Sequence, residues 1–115
     1  MKILVMRPSP EGEDLVNNLK KIGIHAWHFS FFDFYSSTSL INLSNKVNDL
    51  YESNIIIIFS KKSIYYTNLY LKNHNLQWPF DAEYYTVGQS TALSLYKHVK
   101  KKLFFPKNKK IVKIY

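Results

Sequence analysis

The chain has no cysteine, only three glycines, and not one acidic residue after Glu83. Without cysteine there is no disulfide framework, no thiolate metal site and no thiol nucleophile, although that count alone leaves the compartment open. No apolar run is long enough to span a bilayer, and the first residues lack a basic stretch followed by an apolar segment. Neither a membrane anchor nor a secretory signal is therefore read, and a cytoplasmic protein is expected. With 115 residues there is room for one domain with a sizeable core, but not for a second complete lobe.

The net charge of +8 is unevenly spread. Residues 1–83 hold eight Lys or Arg against eight Asp or Glu, whereas residues 84–115 hold eight Lys and no acid. Such a segment can neutralise phosphates or attract another polyanion. The bland alternative is codon composition, since Lys, Asn, Ile, Tyr and Phe share A- and T-rich codons and abound throughout the chain. No nucleic-acid motif accompanies the charge, so no nucleic-acid partner and no membrane partner are expected.

What is present centres on residues 54–63, where four consecutive isoleucines lead into Phe59, Ser60, Lys61, Lys62 and Ser63. An unbroken β-branched run reads as a strand covered on both faces, the habit of a parallel sheet between helices. Helical patterns over 39–52 and 63–73 flank it, which predicts an α/β fold with an open, mainly parallel sheet and flanking helices. In such sheets ligands bind beyond the carboxyl ends of the strands, which directs attention to Ser60 and Ser63.

The chain opens with a short apolar strand over 2–6. Ser9 as N-cap, Pro10 in the first turn, and Glu11, Glu13 and Asp14 against the positive helix end then start a helix. Leu15, Leu19 and Ile22 recur at helical spacing, and Gly23 reads as its C-terminal stop. A second strand over 25–31 puts His25 and His28 on opposite faces. They cannot share one ion there, so a structural role is expected and no metal site. A linker over 36–39 leads to the stripe Leu40, Leu43, Val47 and Leu50.

Tyr65, Tyr66 and Tyr70 fall at helical spacing and read as packing residues rather than a stacking platform. Trp78-Pro79-Phe80-Asp81 must turn. A strand over 84–87 is followed by Gly88, Gln89, Ser90 and Thr91 and a helix over 91–100. Free amides and hydroxyls at such a helix start bind carboxylate or phosphate; an ordinary strand-to-helix connection has the same sequence.

Taken in order, Met6-Arg7-Pro8, the acidic helix start, Ala26-Trp27-His28-Phe29, Phe59-Ser60, Gln77-Trp78-Pro79, the run from Val87 to Leu93, and Phe105-Pro106 resemble uroporphyrinogen-III synthase of the enterobacterial type. The resemblance covers residues 1–106. It implies a cofactor-free lyase, a hydro-lyase of tetrapyrrole (haem and sirohaem) synthesis, that cyclises hydroxymethylbilane with inversion of its last pyrrole ring. It also implies a monomer. On this view the polycarboxylate substrate meets Arg7, Ser60, Ser63, Gly88, Gln89, Ser90 and Thr91, with Arg7 offering a bidentate contact.

The resemblance also implies two α/β lobes. Residues 1–35 would be the β-α-β start of the first and 36–106 an incomplete part of the second, with 107–115 a basic tail in place of an expected Ser-Glu-x-Leu-Leu helix. The tyrosine usually proposed to assist departure of the hydroxyl has no counterpart in this chain, so no catalytic residue is assigned. A truncated synthase is thus expected, exposing half-built lobes through which copies would associate. An inactive or partner-binding remnant is the alternative, with a small nucleic-acid-binding module behind it.

Overall fold

A computed structural model of the protein describes residues 1–7, 9–29, 43–99, 103–107 and 110–114. In chain order these form β1 (Ile3–Met6), α1 (Glu11–Lys21), β2 (Ala26–His28), α2 (Leu43–Glu52), β3 (Ile55–Ile58), α3 (Lys61–Asn73), β4 (Glu83–Thr86), α4 (Gln89–Val99), β5 (Leu103–Lys107) and β6 (Lys110–Ile114). The strands make one sheet in the order β2-β1-β3-β4-β5-β6. β1 to β5 run parallel and β6 returns antiparallel to β5. The expected open, mainly parallel α/β sheet is what forms. The linker over 36–39, the first turn of the helix predicted to follow it, and Phe31 lie outside the described residues.

Alternation along the strands sorts side chains to two faces. Leu4, Met6, Ile56, Ile58 and Tyr84 enter one core with Leu50 of α2, Ile64 and Leu71 of α3, and Ala92 and Leu95 of α4. Each aliphatic side chain buried there contributes about 1.5–3 kcal/mol by leaving water. On the opposite face Val5 packs with Val16 of α1 and Ala26 of β2. Cover of the isoleucine run is unequal: Ile56 and Ile58 are fully buried, while Ile55 and Ile57 are half-buried. Among the described residues α1 is the helix on that second face, and it lies over β1 and β2 rather than over β3.

Residues 1–35 and 36–106, expected in different lobes, meet in one sheet. β1 sits between β2 and β3, pairing Ile3 with Ile55 and Met6 with Ile58. The join is reinforced where the strands start. The Lys2 backbone N–H donates to Asn54 Oδ1 at 2.7 Å, and the Asn54 N–H donates to the Lys2 carbonyl at 2.8 Å. Lys2 Nζ also reaches Asp49 at 2.8 Å and Glu52 at 3.1 Å. The basic tail is likewise part of the sheet, since 110–114 form β6 against β5.

Helix ends follow local chemistry with small shifts. α1 starts at Glu11 with Pro10 as N-cap, so Ser9 lies one position outside the expected cap; its Oγ donates to Glu13 Oε1 instead. Ser60 caps α3 by accepting the Ser63 N–H at 3.2 Å, which starts that helix two residues earlier than its apolar pattern predicts. α1 and α3 end alike. Gly23 (φ +84°) and Asn75 (φ +56°) are left-handed, and their N–H groups and those of the next residues return to carbonyls of the last turn.

Candidate functional site

Because β1, β3 and β4 are parallel and in register, their carboxyl ends share one edge. Met6, Ile58 and Thr86 form the last common row, so Arg7, Phe59-Ser60 and Val87-Gly88 leave the sheet side by side. Three chain segments far apart in sequence are thereby brought together. The Arg7 guanidinium carbon stands 5.0 Å from the centre of the Phe59 ring, a cation–π contact.

The Arg7 backbone is held from behind. His28 Nε2 donates to the Arg7 carbonyl, and His28 Nδ1 lies 4.0 Å from Glu13 Oε1. This closeness depends on Gly12, which is buried in the first turn of α1; a Cβ there would strike both the Arg7 carbonyl oxygen and the His28 ring. Gly12 was not among the residues singled out by sequence. Its signal was weak, since glycine inside a helix pattern has several explanations.

At the next two strand ends the helices begin directly. Ser60 is spent on capping α3, and its Oγ lies 3.2 Å from Ser63 Oγ. Ser63 is fully buried, and its carbonyl accepts from Thr67 Oγ1 at 2.7 Å. Thr91 is buried too. Ser63 and Thr91 therefore shape the helix starts rather than face solvent. Gly88, at φ +93°, turns the chain from β4 into α4, and its carbonyl accepts the Ala92 N–H. The helix begins at Gln89, two residues before the predicted start, which puts Ser90 inside the first turn and removes it as a cap.

Gln89 and Ser90 are exposed and line an open groove of about 560 Å³ with Lys61, Leu93, Ser94 and Lys97. Arg7, Ser60, Ser63, Gly88 and Thr91 do not line it. Sequence reasoning named the hydroxyls of the β3 loop and passed over Lys61, the cation beside them. The electrostatics differ between helices that start at this edge. α1 carries Glu11, Glu13 and Asp14 in its first turn, whereas α3 and α4 carry no acid there. The positive ends of α3 and α4 are thus left uncompensated, with Lys61 added to them.

The model of the uroporphyrinogen-III synthase HemD family matches residues 13–113. The chain belongs to the uroporphyrinogen-III synthase family. Three uroporphyrinogen-III synthases are similar to it. That of Escherichia coli K12 is 32% identical over 114 residues, 99% of this chain and 46% of the relative. That of Salmonella typhimurium LT2 is 32% identical over 84% of this chain and 39% of the relative. The Proteus mirabilis protein is 38% identical over 80% of this chain and 46% of its own length. The chain therefore spans somewhat under half the length of these relatives. The family match runs on into the basic segment that the residue-by-residue resemblance had left out. Among the described residues no helix is long and apolar enough to cross a membrane.

Proposed function

We propose that this chain forms one wall of the substrate site of a uroporphyrinogen-III synthase, the wall that binds carboxylates of hydroxymethylbilane. The observation that carries this reading is the uncompensated positive edge, where the starts of α3 and α4 and the Lys61 ammonium converge on one groove. Backbone amides of the α4 first turn and the Ser90 hydroxyl suit one carboxylate, and Lys61 adds a charge-assisted contact. Arg7, fixed by Phe59 and by the hold of His28 on its carbonyl, serves as a second clamp. Ser60, Ser63, Gly88 and Thr91 act through the backbone they shape.

In the reaction, loss of the terminal hydroxyl as water leaves an electrophilic methylene. The substituted α-carbon of the last pyrrole ring attacks it, giving a spiro intermediate. This breaks that carbon's original bond to its bridge and recloses at the ring's free α-carbon, which loses its proton, so that the ring is inverted. The same substrate closes unaided to the type I isomer, so the protein's contribution is to hold one folded conformer of a flexible polyacid. Clamps on separate carboxylates do this without a cofactor, in a cytoplasmic setting. Because the chain spans under half of its relatives, binding without turnover is the second reading, and the two separate cleanly by experiment.

Anaerobic calorimetry with uroporphyrinogen III measures the wall itself. The Arg7→Gln, Lys61→Gln double variant is expected to bind about tenfold more weakly, the loss of two charge-assisted contacts less solvent compensation. Equal affinity in both proteins overturns the assignment. Incubation with hydroxymethylbilane, followed by separation of isomers, then decides turnover: type III above the spontaneous type I assigns the whole reaction to this chain, and type I alone restricts it to binding.

A further inference from the structure

A second groove lies at the opposite edge of the sheet. Each helix that follows a parallel strand returns to the amino edge, so the last turns of α3 and α4 end there beside the turn that leads into β4. The groove, of about 520 Å³, is lined among others by Asn68 and Lys72 of α3, Trp78 and Phe80 of the turn, and Lys97 and His98 of α4. That volume is in the range of small-molecule sites. Among the described residues no acidic one lines it.

Its aromatic surface is built rather than incidental. The Trp78 indole donates to Asn68 Oδ1 at 3.2 Å, sets its edge against Tyr84 with centres 6.2 Å apart, and lies within 20° of parallel to the His98 ring. Tyr84 in turn donates to the Pro79 carbonyl from a fully buried position, fixing the turn to the core. Phe80, held out by this turn, is 82% exposed.

The bases are equally specific. Lys72 and Lys97 are exposed, and among the described residues neither pairs with an acid. Partial burial, and then the neighbouring Lys72 and Lys97, hold the His98 pKa below the ordinary value of 6.5. A base in a last turn offsets the negative helix end. That role requires neither Trp78 nor Phe80, and it does not require bases of two helices to face one groove without a counter-ion.

We propose that this groove is a second binding site, for a small anion carried on a flat ring: the ring lies against Trp78 and Phe80, and its carboxylate or phosphate lies between Lys72 and Lys97. The site does not depend on the carboxyl-edge reading. Lys97 borders both grooves, so Lys72, which lines only this one, is the deciding position.

The test uses the full chain with Trp27→Phe, which leaves Trp78 as the sole tryptophan reporter. Its fluorescence is titrated with adenosine monophosphate, with benzene-1,3,5-tricarboxylate and with inorganic phosphate. Saturable change is expected with at least one ringed anion. Phosphate alone should bind about tenfold more weakly, for want of the ring contact. Lys72→Glu should weaken the ringed anion at least about tenfold, while Lys72→Arg keeps it within about threefold. A preference for the nucleotide or for the tricarboxylate identifies a phosphate or a carboxylate as the natural group. No saturable change up to about 10 mM, phosphate binding as tightly as the ringed anions, or Lys72→Glu binding unchanged with its circular dichroism intact would each overturn the site.

Discussion

Gly12 shows how one missing methyl group positions a charge at the far end of a strand. The first turn of α1 touches the β1–β2 edge so closely that the Arg7 carbonyl and the His28 ring occupy the space a Cβ needs. Gly12→Ala gains helix propensity but must push His28 off the Arg7 carbonyl or lift the helix, and overpacking of this kind costs about 1–3 kcal/mol. Urea unfolding should report that loss. If the carboxyl-edge site is as proposed, weaker uroporphyrinogen binding is expected beside it, because Arg7 loses the support behind its carbonyl. Retained stability would mean that the helix shifts freely and that its packing does not fix Arg7.

Elements in this chain begin and end by chemistry that is written locally. Gly23 and Asn75 close α1 and α3 in the same left-handed conformation, one with the residue that adopts it freely and one with a residue that tolerates it. A Cβ at Gly23 meets nothing within 4 Å, so Gly23→Ala tests backbone conformation alone and should cost about 1 kcal/mol. Asn75→Gly should instead stabilise by about 0.5 kcal/mol. Thermal midpoints moving in opposite directions check both at once. Starts were less legible than stops. The apolar stripe of α3 begins at Ile64, but the cap bond from the Ser63 amide to Ser60 pulls Lys61 and Lys62 into the first turn. Hydrophobic period reports the buried face and says little about the polar residues that precede it.

Over the whole molecule, the decisive contact is the long-range join of β1 to β3, and Lys2 stands at its start. Burial disfavours the Lys2 ammonium, but its hydrogen bonds to Asp49 and Glu52, with their charges, outweigh that and raise its pKa above the ordinary 10.5. A raised pKa stabilises the folded chain fully below 10.5, and the contribution is lost as pH climbs through the folded value. Asp49 is the better-buried partner, with 27% of its side chain exposed against 68% for Glu52, so most of the effect is expected from it. Lys2→Met should cost about 1–2 kcal/mol in urea at pH 8, and the gap to the parent chain should narrow near pH 11. A gap independent of pH would assign the loss to packing instead of charge.

The sequence by itself determined the order of strands and helices as far as α4 (but not β5 and β6), the glycine stop of α1, the acidic start of α1 against the acid-free starts of α3 and α4, and the gathering of positive charge beyond Glu83. All of these follow from residues within a turn or two of one another, where propensity, capping and dipole act. Only the tertiary structure decided that β1 lies between β2 and β3, so that Arg7, Phe59 and Gly88 leave the sheet at one edge. It alone buried Ser63 and Thr91 out of solvent at that edge, and gathered Lys72, Trp78 and Lys97 from three segments around the second groove. Which strands become neighbours depends on how apolar faces are shared across the whole sheet, and periodicity within any one segment carries no record of that choice.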